Sequence, residues 1–528
     1  MKDLAPESEN FKEKKIYDKK IEVLDKFGWS STSKYFVNGF GLMKSIVLQG
    51  GYSLRCSLVH PLYRMGESGF PVWTKSSELR VGDWVGLRKN NSDFGSPISL
   101  KDFKESQTQY CYNIKCLDLP DYLDEDLAYL MGLWIAEGSI YLQNNSVEIS
   151  TGDSQIIDFL YSLELKYGIR FKKSAEFSYL CVSKNLVKFF SFMGLIPTHC
   201  NEKAIPSQLI CAEKKVLRNL LSGIFDGDGS CCLCKDDDLQ VSLSSTSGEL
   251  VRSIQSILLM GWGIKSILGE ASVDRLRENL REGDFNCNFS QFTLSLHGNN
   301  AITFCKEISF RLSRKQEKFL DLERSYKNRD LVPFQYQLYD SINRKRISQK
   351  IFYDKRKPKS LEQFYQKRQQ VAISKQSLLE VIDYWSSLGI QSDELSILKS
   401  NCDSDIIWVP IKSIEDIQGC SVDFVIPETN SFITNGIISH NTPFHEKDLY
   451  ANLKEARNWR VFEYPAVFPD GSLLWENRYN FQALMDKRVS LGAMIFSREI
   501  LVRPISDSVS IFPWSILETS FIGMEKYT

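Results

Sequence analysis

Short alternating runs of apolar and polar residues fill the chain up to about residue 115. Turns separate these runs, which are KIEVLDKFG, KYFVNGFG, SIVLQGGYSLRCS and ELRVGDWVGL. Because successive side chains of a strand point to opposite faces, a period of two indicates strands with one buried face. The pattern therefore predicts an all-β module of short strands.

A longer period begins at Asp124. In EDLAYLMGLWIAEGS the apolar residues recur at the third and fourth positions and the run stops at a Gly, which predicts a helix. A second helix of the same design is predicted in KKVLRNLLSGIFDGDGS. Each helix is followed by a strand-like, a helical and another strand-like run. The chain from Asp124 to about Tyr326 is therefore predicted to be an α+β unit used twice.

Beyond this duplicated segment the pattern changes twice more. A basic helical stretch precedes the strand-like runs DIIWVPIKSIEDI and VDFVIPE, and helical runs with turns follow from Thr442 onward. The fold is therefore expected to be multi-domain. The predicted sections are 1–118, 119–326, 327–402, 403–441 and 442–528.

The composition of the 528 residues, 43% of them hydrophobic, is typical of packed cores. No apolar stretch is long enough to span a bilayer, which favours a cytoplasmic protein without membrane contact. The 13 cysteines are scattered, which favours reduced thiols. Cys231, Cys232 and Cys234 lack a second Cys or His pair at zinc-finger spacing, so they are interpreted as core or strand residues.

The net charge of −1 gives no global sign of nucleic-acid binding, so any basic surface must be local. The stretch from Arg344 to Arg368 is rich in Lys and Arg, and aromatic residues are interleaved with them. By itself such a stretch favours a solvated helical face. Beside a DNA-binding domain it favours contacts with the phosphate backbone.

The two predicted helices of the duplicated segment share a Gly inside and an acid at the end. Gly132 and Gly223 stand at the same offset, although a Gly inside a helix costs about 1 kcal/mol relative to Ala. Close approach of the two helix backbones would explain both glycines. Glu137 and Asp228 would then emerge together at the helix C-termini, where the helix dipole disfavours carboxylates. Paired carboxylates that hold Mg²⁺ are suited to phosphodiester hydrolysis.

On these two motifs the segment resembles the LAGLIDADG homing endonucleases in their single-chain, two-motif form. The resemblance implies two saddle-shaped sheets over a long, asymmetric site in double-stranded DNA, with Mg²⁺ as cofactor and a monomeric enzyme. It implies that Glu137 and Asp228 are the metal-binding catalytic pair. Lysines that organise water near the site are also implied, and by position these are Lys203 and Lys315; the alternative for each is an ordinary surface lysine.

The flanking β segments resemble the two halves of an intein, a self-splicing β domain of the Hint fold that the endonuclease interrupts. In GYSLRCSLVHPLYR, Ser57 and His60 match the family's T-x-x-H motif, with Ser in place of Thr. The resemblance implies that His60 destabilises the upstream scissile amide. Asp423 matches the acid that assists transfer between the junctions. Asn430 stands where many members have a His, so this chain departs from the usual proton relay there.

The stretch NGIISHNT matches the downstream junction of such a domain. The resemblance implies that the side chain of Asn441 closes on its own carbonyl carbon, with His440 as acid or base. Thr442 matches the downstream nucleophile. Splicing chemistry of this kind needs no cofactor.

The upstream junction of the intein is expected to lie before Met1. MKDLAPE resembles the tail of the element that follows the family's first Cys or Ser, and no Cys precedes Cys56. The first acyl shift is therefore not expected in this chain. A misplaced start, a truncated gene or a separate N-terminal intein fragment remain alternatives.

The segment 442–528 resembles a short α/β part of phage terminase large subunits, at the end of the ATPase domain. The stretches that carry the resemblance are TPFHEKDLYANLKEA, YPAVFPDGSLLWENR and LGAMIFSREILVRP. No GxxxxGK[ST] phosphate loop occurs, so the chain is not expected to be a motor ATPase. The expected DNA target is the terminase gene without the insertion, in the bacterial host of a phage or prophage.

Three interpretations of the whole chain remain open from the sequence. The first is an intein with residual cleavage at Asn441 and an active endonuclease. The second is an endonuclease whose β module is only structural. The third is a non-catalytic DNA-binding protein of LAGLIDADG type with a degenerate splicing domain, which the retained Glu137 and Asp228 disfavour.

Overall fold

The computed structural model describes most of the chain between the first strand and the second junction. The described residues are 15–17, 21–25, 29–32, 34–89, 95–107, 116–234, 238–271, 290–319, 330–335, 358–360, 372–390, 392–403, 405–426, 429, 431–440, 466, 473–474 and 482–484. They belong to two units, one within 41–419 and 433–439, the other within 10–40, 420–432 and 440–528.

Strands and helices are numbered in chain order. The strands are β1 (Lys15–Tyr17), β2 (Glu22–Leu24), β3 (Trp29–Ser31), β4 (Lys34–Leu48), β5 (Ser53–Ser57), β6 (Pro61–Met65), β7 (Pro71–Lys75), β8 (Trp84–Arg88), β9 (Gly138–Tyr141), β10 (Ser146–Ser150), β11 (Lys172–Ala175), β12 (Ser178–Val182), β13 (Gly229–Leu233), β14 (Leu239–Ser245), β15 (Ile267–Ala271), β16 (Gln291–His297), β17 (Leu331–Pro333), β18 (Ala372–Ser374), β19 (Ile406–Val425), β20 (Ser431–Thr434) and β21 (Ile437–His440). The α-helices are α1 (Lys101–Ser106), α2 (Glu125–Glu137), α3 (Ser154–Tyr167), α4 (Lys184–Phe192), α5 (Ser207–Ile210), α6 (Lys214–Asp228), α7 (Gly248–Trp262), α8 (Asn299–Glu307), α9 (Ser313–Gln316), α10 (Lys375–Ser387) and α11 (Asp393–Asp403).

A β module forms one part of the first unit, with strands from both sides of the helical insertion. Its sheet has the order β4–β19–β8–β21–β6–β7, and β5 pairs with β4. The alternating runs predicted β4, β5, β8 and β19, but β4 with 15 residues and β19 with 20 are longer than expected. Glycines such as Gly41 and Gly419 interrupt the side-chain pattern in both strands, while the backbone continues as a strand.

The inserted segment contains two copies of one arrangement, as the duplication predicted. Each copy runs helix, two strands, helix, two strands, helix, and forms its own antiparallel four-stranded sheet. The sheet orders are β11–β12–β10–β9 in the first repeat and β13–β14–β16–β15 in the second. The two copies share one apolar core, which includes Leu130, Leu133, Leu221 and Ile224.

Helices α2 and α6 pack backbone against backbone through their internal glycines. A Cβ on Gly132 would lie 2.1 Å from the carbonyl oxygen of Leu220 and 3.0 Å from the Cα of Gly223. A Cβ on Gly223 would lie 2.4 Å from the carbonyl oxygen of Tyr129. The predicted close approach of the helices is therefore confirmed, and it requires glycine at both positions.

The second repeat also completes a core of the β module. Leu259 of α7 is fully buried in a cluster with Ile46, Leu87 and Ile437. The turn between β4 and β5 approaches the same repeat, since the backbone N–H of Leu268 donates to the carbonyl oxygen of Gly50 at 2.9 Å. The insertion and the β module therefore share apolar contacts within this unit.

The section predicted as a basic helical extension, 327–402, contains strands as well as helices where the structure describes it. Strands β17 and β18 pair with each other, and helices α10 and α11 follow. Leu378, Trp385 and Leu398 are fully buried against sheet residues that include Trp408 and Ile438. The described ends of this section therefore cover one face of the β module. Most of the stretch from Arg344 to Arg368 lies outside the described residues.

The described part of the second unit holds a ladder and a hairpin. Strand β1 pairs with the first residues of β4, and β2 pairs with β3. Asp25 is buried there and accepts hydrogen bonds from the hydroxyls of Ser30 and Thr429 at 2.6 and 2.7 Å. Across the described part of the whole chain, no helix is both long and apolar enough to cross a membrane.

Candidate active site at the paired helix ends

Helices α2 and α6 end side by side at Glu137 and Asp228. Each acid is the last residue of its helix, and a Gly in an extended conformation follows it. A Cβ on Gly227 would lie 3.4 Å from the Cγ of Glu137, so the two helix ends are in contact. The structure therefore brings together the two carboxylates that the duplicated motif singled out.

The proximity of the two carboxylates alters the acidity of one of them. Partial burial, followed by the negative charge of Glu137 and a hydrogen bond with it, raises the pKa of Asp228 from 3.8 to about 6. Two carboxylates held this close are costly unless a cation or a proton lies between them. The geometry thus favours cation binding at the helix ends.

Lys203 binds the C-terminal end of the first helix, α2. Its ammonium group donates to the carbonyl oxygens of Trp134 at 3.0 Å, Ala136 at 3.5 Å and Gly138 at 2.8 Å. Trp134 and Ala136 lie in the last turn of α2 and Gly138 is its C-cap, where the helix dipole favours a cation. Burial lowers the pKa of Lys203, and the negative charges of Asp228 and Glu137 oppose this shift.

Lys315 binds the C-terminal end of the second helix, α6, in the same way. Its ammonium group donates to the carbonyl oxygens of Phe225 at 2.7 Å, Asp226 at 2.8 Å and Gly229 at 2.6 Å. The side chain is 3% exposed, and this burial lowers the pKa of Lys315 to about 8. The lysine is therefore not the ordinary surface residue that the sequence left open.

Each lysine is anchored by the opposite repeat. The hydroxyl of Ser247, the N-cap of α7 in the second repeat, donates to the carbonyl oxygen of Lys203 at 2.6 Å. Arg314, next to Lys315, donates to the carboxylate of Asp153 at 2.8 Å. Asp153 is the N-cap of α3, the matching helix of the first repeat. The two repeats thus position each other's lysine.

The donor set at the helix ends fits a divalent cation of the hard type. Mg²⁺ is held in proteins by one or two carboxylates, with waters and substrate phosphates as the remaining ligands. Within the part of the chain that the structure describes, no group of three or more His, Cys, Asp or Glu side chains forms a complete cage. Glu137 and Asp228 therefore suit a cation shared with a phosphate substrate better than a permanently caged metal.

A buried acid that the sequence did not single out lies two residues before the end of α6. Asp226 is 1% exposed and accepts hydrogen bonds from the hydroxyl of Tyr129 and the backbone N–H of Arg311, both at 2.8 Å. Its burial raises the pKa of the Asp226 carboxyl. The first repeat has the apolar Ile135 at this position. Comparison of the two repeats is the sequence signal that points to Asp226.

A polar cavity of about 350 Å³ opens beside Glu137. Asp153, Asp226 and Arg314 are among the residues that line it. Because a water molecule occupies about 30 Å³ of liquid, this space can hold several waters or a phosphate group with waters. The site therefore has room for a hydrated reactant next to one of the paired carboxylates.

The residues predicted for splicing lie in both units. Ser57 and His60 bracket a turn in which the N–H of His60 donates to the carbonyl oxygen of Ser57 at 3.1 Å. The hydroxyl of Ser76 donates to the same carbonyl at 2.6 Å, and the N–H of Ser76 donates to the carbonyl of His60 at 2.8 Å. His60 is 7% exposed. Ser76 thus holds both ends of the turn by hydrogen bonds, one at Ser57 and one at His60.

The remaining splicing residues lie toward the second junction. Asp423 is buried within β19, and its carboxylate accepts from the N–H of Phe424 at 2.9 Å. His440 is the last residue of β21. Asn441 and Thr442 lie outside the described residues, as does nearly all of the segment that resembles a terminase.

The positions of the three clustered cysteines agree with their interpretation as core or strand residues. Cys231 is buried in β13, Cys232 is exposed in the same strand, and Cys234 is exposed just beyond it.

The family model of the intein splicing domain matches residues 3–441. Among curated proteins, a DNA-directed RNA polymerase subunit Rpo1C of Methanocaldococcus jannaschii is 26% identical over 72% of this chain and 44% of its own length. Elongation factor 2 of Methanopyrus kandleri is 24% identical over 63% of this chain and 24% of its own length. Reverse gyrase of Pyrococcus horikoshii is 24% identical over 77% of this chain and 22% of its own length. The chain spans less than half the length of each of these relatives.

Among the solved structures that resemble parts of the chain are I-DmoI and DUF199/WhiA. I-DmoI in complex with DNA and Mn is 15% identical, covers 35% of this chain and 96% of its own, and gives a TM-score of 0.25. Full-length DUF199/WhiA from Thermatoga maritima is 11% identical, covers 58% of this chain and 96% of its own, and gives a TM-score of 0.26.

Proposed function

The chain belongs to the intein splicing family, and from this premise we propose that it carries a site-specific DNA endonuclease within a splicing domain that cleaves at Asn441. The observation that carries the nuclease proposal is the contact between two helix ends that present Glu137 and Asp228 together. The curated relatives have unrelated functions and match over less than half their length. This supports an inserted element whose function is independent of each host protein.

The two negative charges at the paired helix ends are suited to phosphodiester hydrolysis assisted by a cation. Glu137 and Asp228 would hold Mg²⁺, because the negative charge of Glu137 otherwise opposes the ionisation of Asp228. Bound Mg²⁺ supplies positive charge that polarises a scissile phosphate and stabilises the attacking and leaving oxygens. The carboxylates would set the position of the cation, and the cavity beside Glu137 would hold the attacking water molecule.

The two lysines support the same reaction in a positioning role. Lys203 and Lys315 hold the helix ends by their carbonyl oxygens, so each carboxylate would keep its place when a phosphate of like charge approaches. Lys315, whose pKa is lowered to about 8, is also able to exchange a proton with water near neutral pH. We therefore propose Glu137, Asp228, Lys203 and Lys315 as the catalytic set of the nuclease.

The proposed substrate is double-stranded DNA with a long, asymmetric site, cut by a monomer. The terminase-like stretches after Thr442 support the uninterrupted terminase gene as the target. The test is incubation of the purified chain with this duplex and Mg²⁺, followed by gel analysis of the products. The expected result is one double-strand cut, lost in Glu137→Gln and in Asp228→Asn. Binding without cutting by the wild type would instead support a non-catalytic DNA-binding protein.

The splicing proposal concerns the bond between Asn441 and Thr442. The side-chain nitrogen of Asn441 attacks its own carbonyl carbon, the bond to Thr442 breaks, and the proton reaches the released amine with the help of His440. The family match ends at Asn441, which supports this bond as the junction. In full splicing, the hydroxyl of Thr442 would receive the upstream segment before this bond breaks, and the cyclisation of Asn441 would then release the splicing domain.

Intact mass spectrometry of the purified chain tests this cleavage. Two products that separate between Asn441 and Thr442 are expected, the larger one ending in a succinimide. Asn441→Ala should leave the chain whole, while His440→Ala should slow the cleavage. Whole wild-type chain after prolonged incubation would contradict the splicing proposal and leave the nuclease proposal unaffected.

A further inference from the structure

The first four-stranded sheet turns one face to the apolar core and the other face to solvent. In β10, Val147 and Ile149 are buried in the core, so Glu148 between them points to the outer face. Ser139 is the strand partner of Glu148 in β9 and is exposed on the same face. Tyr141 of β9 lies there too and is 45% exposed. The outer face is therefore open to a ligand.

The carboxylate of Glu148 is held on this outer face by hydroxyl groups of the two neighbouring strands. β10 is an inner strand of the sheet, with β9 on one side and β12 on the other. The hydroxyl of Tyr141 in β9 donates to one carboxylate oxygen of Glu148 at 2.6 Å. The hydroxyl of Ser178 in β12 donates to the other carboxylate oxygen. The position of the carboxylate is therefore fixed from both sides of its strand.

The outer face of this sheet begins at the candidate active site. Glu137 ends α2, and β9 starts at the next residue, Gly138. Because Glu148 pairs with Ser139, it lies about 7 Å along the strand from Glu137 and about 5 Å to the side. The core fills the inner face, so a duplex that is bound at the paired carboxylates and follows β9 meets the outer face. Successive base pairs are about 3.4 Å apart, so Glu148 would lie within about three base pairs of the scissile phosphate.

The second sheet differs from the first in the chemistry of the corresponding strands. Strands β13, β14 and β16 contain no acid, and hydroxyl groups face each other across them. The hydroxyls of Ser230 and Ser242 lie 2.8 Å apart, and those of Ser244 and Thr293 lie 3.1 Å apart. A hydroxyl both donates and accepts, so it distinguishes bases poorly, whereas a carboxylate only accepts. The carboxylate of Glu148 therefore gives the first repeat a selectivity that these hydroxyls lack.

We propose that Glu148 is a specificity-determining residue that selects a cytosine in the major groove of the bound duplex, an inference that rests on the proposed function. The N4 amino group of cytosine is a hydrogen-bond donor that matches the carboxylate. Guanine and thymine present acceptor oxygens in the major groove, which the carboxylate repels. A carboxylate also repels the phosphates of every duplex, so Glu148 lowers affinity for DNA unless a matching base compensates.

Selection of bound sequences from a library of random DNA duplexes tests the role of Glu148 in the full chain. The selection is made in EDTA, so that binding is recorded without cutting, and the bound duplexes are sequenced. At one position the wild type should prefer cytosine over guanine and thymine by about tenfold. Glu148→Gln, which keeps the size of the side chain, should change this preference to adenine, because an amide pairs with N6 and N7 of adenine. Glu148→Ala should lose the preference at this position and keep the rest of the selected sequence.

Glu164→Gln is the matched control, because Glu164 lies on α3 and pairs with Arg170 at 3.2 Å, away from the outer face. This variant should select the same sequence as the wild type. If Glu148→Gln also selects the wild-type sequence, the inference is overturned. Equal weakening at every position in Glu148→Ala would overturn it too, since a merely structural role of the carboxylate predicts that result.

Incubation of the selected duplex with the wild type and Mg²⁺ separates this inference from the proposed function. A cut within about three base pairs of the selected cytosine is expected. A preference for cytosine that depends on Glu148, without any cutting, would reject the nuclease and keep Glu148 as a residue that selects a base. Selection of no sequence by the wild type would overturn both proposals.

Discussion

Lys203 and Lys315 occupy matching positions at the two helix ends, and each donates to three carbonyl oxygens of its own repeat. Lys203, and Arg314 beside Lys315, are also hydrogen-bonded to N-cap residues of the opposite repeat. Contacts from both repeats therefore fix each helix end, and neither carboxylate is positioned by its own repeat alone. Variation at one lysine is expected to affect the geometry of both acids.

Replacement of Lys315 should lower the stability of the protein. Lys315→Met removes three charge-assisted hydrogen bonds from buried carbonyls and should lower the free energy of unfolding by about 3 kcal/mol. Urea unfolding measures this loss. Lys318→Met is the matched control, since Lys318 donates to the single carbonyl of Cys231 at 2.8 Å and should cost about 1 kcal/mol. Equal losses in the two variants would contradict the proposed role of Lys315 at the helix end.

Neutralising one carboxylate should stabilise the protein when divalent cations are chelated. In EDTA near pH 8, Asp228→Asn removes repulsion with Glu137 and should raise the free energy of unfolding by about 2 kcal/mol. Addition of Mg²⁺ should raise the Tm of the wild type and leave that of the variant unchanged. A wild-type Tm that does not respond to Mg²⁺ would argue against a cation at these residues.

The same pair should give a characteristic dependence of stability on pH. The pKa of Asp228 is raised in the folded state from 3.8 to about 6, so between these values the folded chain retains a proton that the unfolded chain has lost. Stability from this group is therefore present below pH 4 and is lost as the pH rises through 6. In EDTA the difference between Asp228→Asn and wild type should grow over this window, by on the order of 2 kcal/mol. A difference that is constant with pH would contradict the shifted pKa.

Alanine at either helix-contact glycine should disrupt the inserted segment. Gly132→Ala places a Cβ 2.1 Å from a carbonyl oxygen, and the helices must separate to accept it. The loss of unfolding free energy should exceed about 3 kcal/mol. Gly41→Ala is the control, because no atom lies within 4 Å of the added Cβ, and its effect should stay within about 1 kcal/mol. Circular dichroism and urea unfolding compare the two variants.

The sequence predicted the inserted segment well because its signals are local and occur twice. The apolar period of α2 and α6 predicted two helices, and the shared position of Gly132 and Gly223 predicted how they pack. The place of Glu137 and Asp228 follows from that packing. Because the motif occurs twice, the sequence predicted how the two helices pack and that the two acids lie together.

Other features depend on contacts between distant parts of the chain, which periodicity does not report. Asp226 looks like one more acid of the motif, and its bonds to Tyr129 and Arg311 are visible only when the repeats are folded together. The ion pair of Lys89 and Asp330 joins the two ends of the insertion. The length of β4 and β19 was underestimated because glycines interrupt the alternation that identifies a strand.

The burial of Leu259 among residues of the β module has a consequence for how such an element changes over generations. A substitution at Glu137 would silence the proposed DNA cutting and leave the contacts of Leu259 intact. A deletion of the inserted segment would instead remove Leu259 from a core that contains Ile46, Leu87 and Ile437. Inactive lineages should therefore accumulate point substitutions while keeping the inserted segment at full length. Loss of the gene's nuclease activity and loss of its nuclease-coding sequence would be separate genetic events.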